Sequence, residues 1–472
     1  KKKDLEVYLY NAWKGRFYCY FALSDEVSFQ RELPQLLELF HKYRSQILEE
    51  QNRNSFFDNE QDVYDIAVDY EFSRSSFENA FNYAEESRSR SLLDLQNSIA
   101  KVSTTENQPE IKLSGNFSQP FKISQIQAEM SVNTQLLTFS VLPEKVLIWT
   151  ITKDRMDAVK TDISAEKLKE KVIDYLNLIS SKSESEDLNN LSKELYQILI
   201  VPIKDKLDKN KQIFIIPDKV LFRLPFGALH QDQYLVEEFN ISYSPSANIF
   251  LNCSNKAKEH SHSNEENLLS IGNPTFNPTE FSPKLPDLPS AKIEAEKISQ
   301  EYLNPVVLVN EAANKEQVKA GLTKADVVHI AGHYLIDEKN PWLSSLVLAG
   351  ETKTTGNLAN YEIISQKLTN IRLIVLSACD TGIEKYYQGE GMIGASRTFL
   401  AIGIPLVVAS QWEVDSEATK DLMIRFHQIR RIQKIFTSEA LRLAQIEMLK
   451  NEKYKHPYYW ASFAALGGHT QF

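Results

Sequence analysis

The chain has 472 residues, of which 42% are apolar and 25% charged, the composition of a soluble globular protein with two or three domains. Its formal net charge of −10 argues against a general nucleic-acid surface, and no apolar run of about 18 residues predicts a membrane span. Three scattered cysteines, Cys19, Cys253 and Cys379, argue against a disulfide framework and indicate a reducing compartment, expected to be the cytoplasm.

Residues 1–104 are predicted to be helical. Phe77, Phe81 and Ala84 recur at helical spacing, and small residues alternate with large ones there, which lets neighbouring helices approach closely. Stacked helix pairs of this kind favour a helical repeat array. We expect that array to continue upstream of Lys1, because one repeat cannot bury its apolar face alone. The alternative is a plain helical cap on the next domain.

Residues 105–122 are rich in Ser, Asn and Pro and are predicted to form a linker. Residues 123–253 follow as a predicted α/β unit. Two apolar runs broken at 143–145 indicate a β-hairpin, two helical patterns come next, and residues 212–217 form a short buried strand.

The polar stretch 254–267 is predicted to be a flexible linker. Its His260 and His262 have no third ligand nearby, so we expect no metal site there. Residues 268–472 alternate short buried strands with helical patterns, which indicates a largely parallel sheet with helices on both faces. The predicted strands are LLSIGNP, NPVVLVN, DVVHIAGH, SLVLAG, IRLIVLSA and PLVVASQW. In such sheets, chemistry lies beyond the carboxyl ends of the strands.

Two of these strands end in residues that can do chemistry. Cys379 follows the strand IRLIVLSA, and His333 lies at the tip of DVVHIAGH, 46 residues earlier (379 − 333). If the two strands are neighbours, the histidine can deprotonate the cysteine, and the thiolate is the reactive form. By residue type alone, Cys379 would more often be a small buried apolar residue.

His329 is the competing histidine. It lies inside the strand, about 13 Å from His333 at roughly 3.3 Å per residue, and we predict that it is buried and hydrogen-bonded. The sequence HIAGH also resembles a zinc-binding helix motif. That motif needs an acidic residue next to the first histidine and a continuous helix, and Ile330 and Gly332 supply neither.

The motifs VVHIAGH, LSACDTG, GEGMIGASRTFLAIGIPLVVASQWEVD and HPYYWASFAALGG, in this order, resemble the CHAT family. These are caspase-like domains, related to caspases and separase, that are commonly attached to tetratricopeptide repeats. The resemblance covers most of the chain from about residue 76. It implies an α/β caspase-like three-layer sandwich at 268–472. A helical, tetratricopeptide-like segment and a degenerate, non-catalytic α/β half at 123–253 would precede it.

The resemblance also implies a cysteine endopeptidase. His333 would be the general base and acid, and Cys379 would be the nucleophile that forms an acyl-enzyme. The backbone N–H groups of Tyr334 and Cys379 would bind the oxyanion. Caspases have glycine where this chain has Tyr334, so the shape of this loop is expected to differ. No cofactor and no metal are implied.

Residues near the nucleophile and after a later strand shape the substrate pocket in relatives. Asp380 and Glu390 are acidic and would favour a basic residue before the scissile bond. However, Ser377 stands where basic-specific relatives have an acid. Trp412 is expected to line the pocket or to belong to the core. Asp415 is expected to contact substrate or to cap the next helix.

We expect a protein substrate, a protein regulator bound to the helical repeats, and neither a membrane nor a general nucleic-acid partner. In bacterial relatives such proteases serve in defence or cell death, and some are switched on by a CRISPR effector. Family resemblance suggests that context here. Two alternatives are a catalytically silent scaffold and a thiol amidase that acts on small molecules.

Overall fold

The computed structural model describes most of the chain. The described residues are 2–45, 47, 56, 60–97, 99–105, 108–114, 119–182, 185–259, 265–281, 284–337, 340–366, 368–378, 385–387, 391–393, 395–413 and 415–470. Within these ranges, no helix combines the length and apolarity needed to cross a membrane.

The N-terminal segment is helical, as predicted, up to Asn97. Its described helices are α1 (Lys2–Ala22), α2 (Glu26–Ser45), α3 (Gln61–Ser73), α4 (Phe77–Glu86) and α5 (Arg90–Asn97). Helix α1 packs on α2, and α3 packs on α4. Aromatic side chains fill much of the space between the first three helices, including Tyr10, Phe17, Phe29, Phe40 and Tyr64.

Two predictions fail between residues 99 and 114, because the end of the segment predicted to be helical (1–104) and the first half of the linker predicted at 105–122 form strands. Strand β1 (Ile99–Thr105) pairs antiparallel with β2 (Gln108–Ser114) in a separate two-stranded sheet. The polar composition suggested irregular structure, but β-branched residues such as Val102 and Ile111 favour extended backbone.

The rest of the fold is built on one large sheet. The strands beyond β2 are β3 (Thr134–Val141), β4 (Val146–Ile151), β5 (Met156–Thr161), β6 (Gln212–Ile216), β7 (Ile241–Tyr243), β8 (Asn267–Pro274), β9 (Asn304–Asn310), β10 (Val327–Gly332), β11 (Tyr334–Leu335), β12 (Ser345–Val347), β13 (Asn357–Ala359), β14 (Leu373–Ala378), β15 (Lys385–Tyr387), β16 (Gly391–Ile393), β17 (Leu406–Ser410) and β18 (Phe463–Gly467). Eleven of them form a sheet in the order β5-β4-β3-β6-β7-β18-β17-β14-β10-β8-β9.

Helices follow most of these strands. They are α6 (Ile123–Glu129), α7 (Ala165–Ser180), α8 (Glu186–Leu199), α9 (Leu235–Glu238), α10 (Ala247–Glu259), α11 (Pro289–Ser299), α12 (Lys315–Leu322), α13 (Lys353–Gly356), α14 (Asn360–Ile364), α15 (Ala395–Ala401), α16 (Ser416–Gln433), α17 (Thr437–Leu449) and α18 (Pro457–Trp460). Strands pair in parallel over most of the large sheet, with antiparallel pairing at β3–β4, β4–β5 and β17–β18.

Successive residues of each strand face opposite sides of the large sheet. In β14, Ile374 and Leu376 belong to the core that includes α12 and α15, whereas Leu373 and Val375 pack with α16 and α17. Helices therefore cover both faces, which explains why the strands are almost uninterrupted apolar runs in the sequence. The predicted three-layer α/β architecture is confirmed.

The large sheet passes through both predicted α/β halves. Tyr243 of β7 pairs with Leu466 of β18, and Gln212 Nε2 donates to Ser438 Oγ at 2.9 Å. The two halves thus share one hydrogen-bonded framework.

The strand predicted from the sequence SLVLAG forms as β12, but it pairs with β11 and β13 in a small separate sheet.

Candidate active site

Strands β10 and β14 are parallel neighbours. Their register runs from Val327 with Leu373 to Gly332 with Ala378. His333 follows Gly332 directly, at the carboxyl end of its strand. In the sequence, Cys379 follows Ala378 in the same way. Cys379, Asp380 and Glu390 lie outside the described residues. The register therefore shows that Gly332 and Ala378, the residues before His333 and Cys379, are neighbours.

The His333 side chain is half-buried and has a defined orientation. Its Nε2 donates to the backbone oxygen of Pro286 at 2.8 Å, so in the neutral ring Nδ1 is the basic nitrogen. The Phe276 ring lies nearly perpendicular to the imidazole, with 5.6 Å between the ring centroids. Burial lowers the pKa of His333, and the Pro286 carbonyl opposes that effect, because it stabilises the protonated ring.

The segment that carries Pro286 lies immediately before helix α11. That helix crosses β8 closely at Gly272, where an added Cβ would lie 2.5 Å from the oxygen of Ala291 and 2.6 Å from Ala295 Cβ. Only glycine permits this approach. The close packing brings the start of the helix, and with it the Pro286 carbonyl, towards the end of β10.

His329 lies in a different environment, although it is on the same strand. It is fully buried, its Nε2 bonds to Glu294 Oε1 at 2.9 Å, and its Nδ1 bonds to His427 Nε2 at 3.3 Å. This is the buried, hydrogen-bonded sheet histidine that the sequence predicted. Burial, together with nearby His329, lowers the pKa of His427 well below its usual value. In the described part of the chain, no group of three or more His, Cys, Asp or Glu side chains is arranged to hold a metal ion.

Tyr334 follows His333 and begins β11. Its side chain is buried, and its hydroxyl donates to Asn360 Oδ1 at 3.0 Å. Asn360 in turn donates from Nδ2 to the backbone oxygen of Pro341 at 2.8 Å. The Tyr334 ring is therefore turned into the protein rather than towards the end of β10.

Trp412 and Asp415 follow strand β17. The Trp412 ring is partly buried against both apolar cores, and its Nε1 donates to the backbone oxygen of Tyr458 at 3.3 Å. Asp415 is the N-cap of α16, and its Oδ1 accepts from the amides of Glu417 at 3.1 Å and Ala418 at 3.0 Å. Both side chains have structural partners, and their predicted contacts with substrate stay predictions.

Sequence reasoning assigned no role to Pro286 or Phe276. Their contribution is visible only in three dimensions, because Pro286 is 47 residues from His333 along the chain. The proline-rich run at 274–289 was a usable signal, since prolines fix the backbone of a segment that must hold one position.

Comparison with known proteins identifies the family. The profile of the CHAT domain matches residues 189–468, which is 280 of the 472 residues. The chain belongs to the CHAT domain family. Human tetratricopeptide repeat protein 28 is 26% identical over 332 residues, and its mouse counterpart is 25% identical over 337 residues. These alignments cover 58% and 59% of this chain but only 13% of each relative, so the chain spans a small part of their length.

The fold also has a relative among solved structures. The Saccharomyces cerevisiae separase–securin complex contains a chain that superposes with a TM-score of 0.59 and 12% sequence identity. The match covers 94% of this chain and 37% of that chain. At this identity the similarity shows a common fold, which includes both α/β halves and the helical segment.

Proposed function

We propose that this chain is a cysteine endopeptidase in which His333 and Cys379 are the catalytic pair. The observation that carries the proposal is the parallel register ending at Gly332 and Ala378, since the next residue of each strand is one member of the pair. Neighbouring strands lie about 4.8 Å apart, which supports contact between side chains that follow paired strand ends.

In the proposed reaction, His333 Nδ1 takes the proton from Cys379 Sγ, and the thiolate adds to the carbonyl carbon of a peptide bond. The imidazolium gives this proton to the leaving amine as the C–N bond breaks, which leaves a thioester. Water, deprotonated by the same imidazole, then hydrolyses the thioester and restores the thiol. The lowered pKa of His333 supports this role, because it keeps the ring neutral and basic near pH 7.

The backbone N–H groups of Tyr334 and Cys379 are the proposed oxyanion donors. Asp380 and Glu390 are proposed to favour a basic substrate residue before the scissile bond through their negative charge, and Asp415 is proposed to contact the substrate. Trp412 is proposed to line the same pocket.

A protein regulator is proposed to act through the helical segment. Gln96, near the end of α5, donates from Nε2 to the backbone oxygen of Leu400 at 2.9 Å. Leu400 belongs to α15, and the stretch that precedes this helix in the sequence carries Cys379. A partner that shifts the helical segment would therefore act on α15, the helix that follows Cys379 in the sequence after strands β15 and β16. The proposed setting is the cytoplasm and bacterial defence, as the family resemblance suggests.

The test is cleavage of proteins encoded beside this one, followed on a gel. We expect wild-type protein to cut a partner protein and the Cys379→Ala and His333→Ala variants to leave it intact. A thiol-directed probe, applied to the same samples, should label wild type and not Cys379→Ala.

Other results would favour the alternatives. Cleavage that persists in both variants would refute the catalytic pair. The absence of both cleavage and labelling of Cys379 would point to a scaffold. Turnover of small amides without cleavage of any protein would point to an amidase.

A further inference from the structure

Asn273 connects the end of strand β8 to the segment that contacts His333. Its Oδ1 accepts from the backbone N–H of Leu288 at 3.0 Å, and its Nδ2 donates to Asp287 Oδ1 at 2.9 Å. Asn273 is 9% exposed. Asn273 therefore forms hydrogen bonds with the two residues that follow Pro286. The carbonyl of Pro286 accepts the hydrogen bond from His333 at 2.8 Å.

The segment 286–288, which Asn273 contacts, lies largely at the surface. Pro286 and Asp287 are both exposed, and Leu288 is intermediate. Among the described residues, the side-chain hydrogen bonds to 286–288 come from Asn273 and His333. Without Asn273, the carbonyl that orients the imidazole would depend on a surface segment anchored mainly by the start of α11.

Asparagine satisfies three requirements at this position. The backbone of Asn273 has φ of 46°, in the left-handed region that asparagine and glycine tolerate better than other residues. Glycine would keep the backbone conformation but lose both hydrogen bonds. Aspartate would keep the acceptor for Leu288 but present a second carboxylate to Asp287.

We propose that Asn273 is a positioning residue for the catalytic histidine. It holds the Pro286 carbonyl against His333 Nε2, which keeps the hydrogen on that nitrogen and leaves Nδ1 basic for the cysteine. This inference rests on the proposed protease function, but the hydrogen bonds of Asn273 to residues 287 and 288 can be tested without it.

The activity test uses Asn273→Gly in the full chain, with Asn310→Gly as the matched control. Asn310 ends the neighbouring strand β9 with φ of 53°, and no hydrogen bond of its side chain is found in the described structure. We expect Asn273→Gly to lower kcat by about 10- to 100-fold, because misplaced catalytic groups cost rates of this order, while KM changes less than about twofold. Asn310→Gly should leave both values close to wild type.

A reciprocal exchange separates positioning from general damage. Asn273→Asp should lower kcat, because two carboxylates face each other, and adding Asp287→Asn should restore most of it by reversing donor and acceptor. Wild-type kcat in Asn273→Gly, or no recovery in the exchanged double variant, would overturn the proposal.

Amide hydrogen exchange keeps the two proposals distinguishable. The Leu288 amide should exchange faster in Asn273→Gly than in wild type and Asn310→Gly, whether or not the protein cleaves anything. An unchanged exchange rate of the Leu288 amide would overturn the proposal that Asn273 holds this segment in place. If the Leu288 amide exchanges faster but no His333-dependent cleavage is found, the role of Asn273 in holding this segment is supported. That result would count only against the proposed protease function.

Discussion

His329 and His333 lie four residues apart, yet the structure gives them opposite surroundings. His329 is fully buried between Glu294 and His427, whereas His333 is half-buried at the strand end with one fixed nitrogen. The strand end provides access for a substrate, and the strand interior does not. Position along β10 thus separates a structural histidine from the proposed catalytic one.

We predict that substitutions at these two histidines have opposite effects. His333→Gln should reduce cleavage at least about 100-fold with little change in stability, since it removes the proposed general base from a half-buried position at the strand end. His329→Leu should cost about 1–3 kcal/mol of unfolding free energy, because it leaves Glu294 buried without this partner, and should retain most of the activity. Urea unfolding and cleavage assays on both variants test this, and the reverse pattern would contradict it.

At the scale of elements, the aspartate at the start of α16, Asp415, has two candidate roles. Asp415 accepts two amide hydrogen bonds at the helix N-terminus, which is sufficient reason for an acid there. A contact with a basic substrate would be an additional role for the same charge. The two roles depend on different properties of the side chain, namely an acceptor oxygen and a negative charge.

The variants Asp415→Ala and Asp415→Asn separate these roles. The alanine variant should lose about 1 kcal/mol of unfolding free energy, whereas asparagine keeps an acceptor oxygen and should stay within a few tenths of wild type. If the charge binds a basic substrate residue before the scissile bond, Asp415→Asn should selectively slow cleavage after basic residues. Equal destabilisation by both variants, measured in urea, would show that the cap is not the stabilising contact.

At the scale of the whole molecule, the first α/β half is attached to the second by more than the shared sheet. Arg442 of α17 donates to the backbone oxygens of Val236 at 2.7 Å and Glu237 at 2.6 Å. His469 donates its backbone N–H to Ser254 Oγ at 2.8 Å. Contacts between distant parts of the sequence therefore hold the halves together.

We predict that the halves stay associated after the chain is cut between them. A specific protease site inserted between Glu259 and Glu265 should give two fragments that elute together in gel filtration and separate only in denaturant. Arg442→Ala should weaken their association after cutting, because it leaves two carbonyl groups without this donor. Fragments that separate in native buffer would show that each half is an independent domain.

A buried polar chain makes the stability of the whole molecule depend on pH. His427 bonds through Nδ1 to Tyr302 at 2.8 Å and through Nε2 to His329 at 3.3 Å, and Arg430 contacts the same tyrosine at 3.4 Å. Burial, then nearby His329 and the charges of Arg430 and Arg431, lower the pKa of His427 and so disfavour its protonated form. The folded chain thus excludes a proton that the unfolded chain accepts below about pH 6.5.

The contribution of His427 to the unfolding free energy should therefore be greatest above about pH 6.5 and should fall as the pH decreases. One such histidine contributes up to about 1.4 kcal/mol per pH unit. We predict that His427→Gln is less stable than wild type at pH 7.5 but loses stability less steeply between pH 6 and 5. Urea titrations at several pH values measure both slopes, and parallel slopes would contradict the assignment.

The amino-acid sequence by itself determined the helical start and the alternation of strands and helices, and it singled out His333 and Cys379 as the residues that follow two of the strands. These features depend on local periodicity, which apolar side chains record directly along the chain. The helix predicted up to residue 104 and the linker predicted at 105–122 overlap strands Ile99–Thr105 and Gln108–Ser114, because the Ser-, Asn- and Pro-rich composition of this stretch does not by itself reveal strand pairing.

Only the tertiary structure decided which groups surround His333 and how the halves join. The Pro286 carbonyl is 47 residues away from this histidine, and the side chains that join Gln212 to Ser438 are 226 residues apart. Such pairs leave no local pattern, because each partner is an ordinary residue in its own segment. Their roles arise when strand order and helix packing bring the segments together.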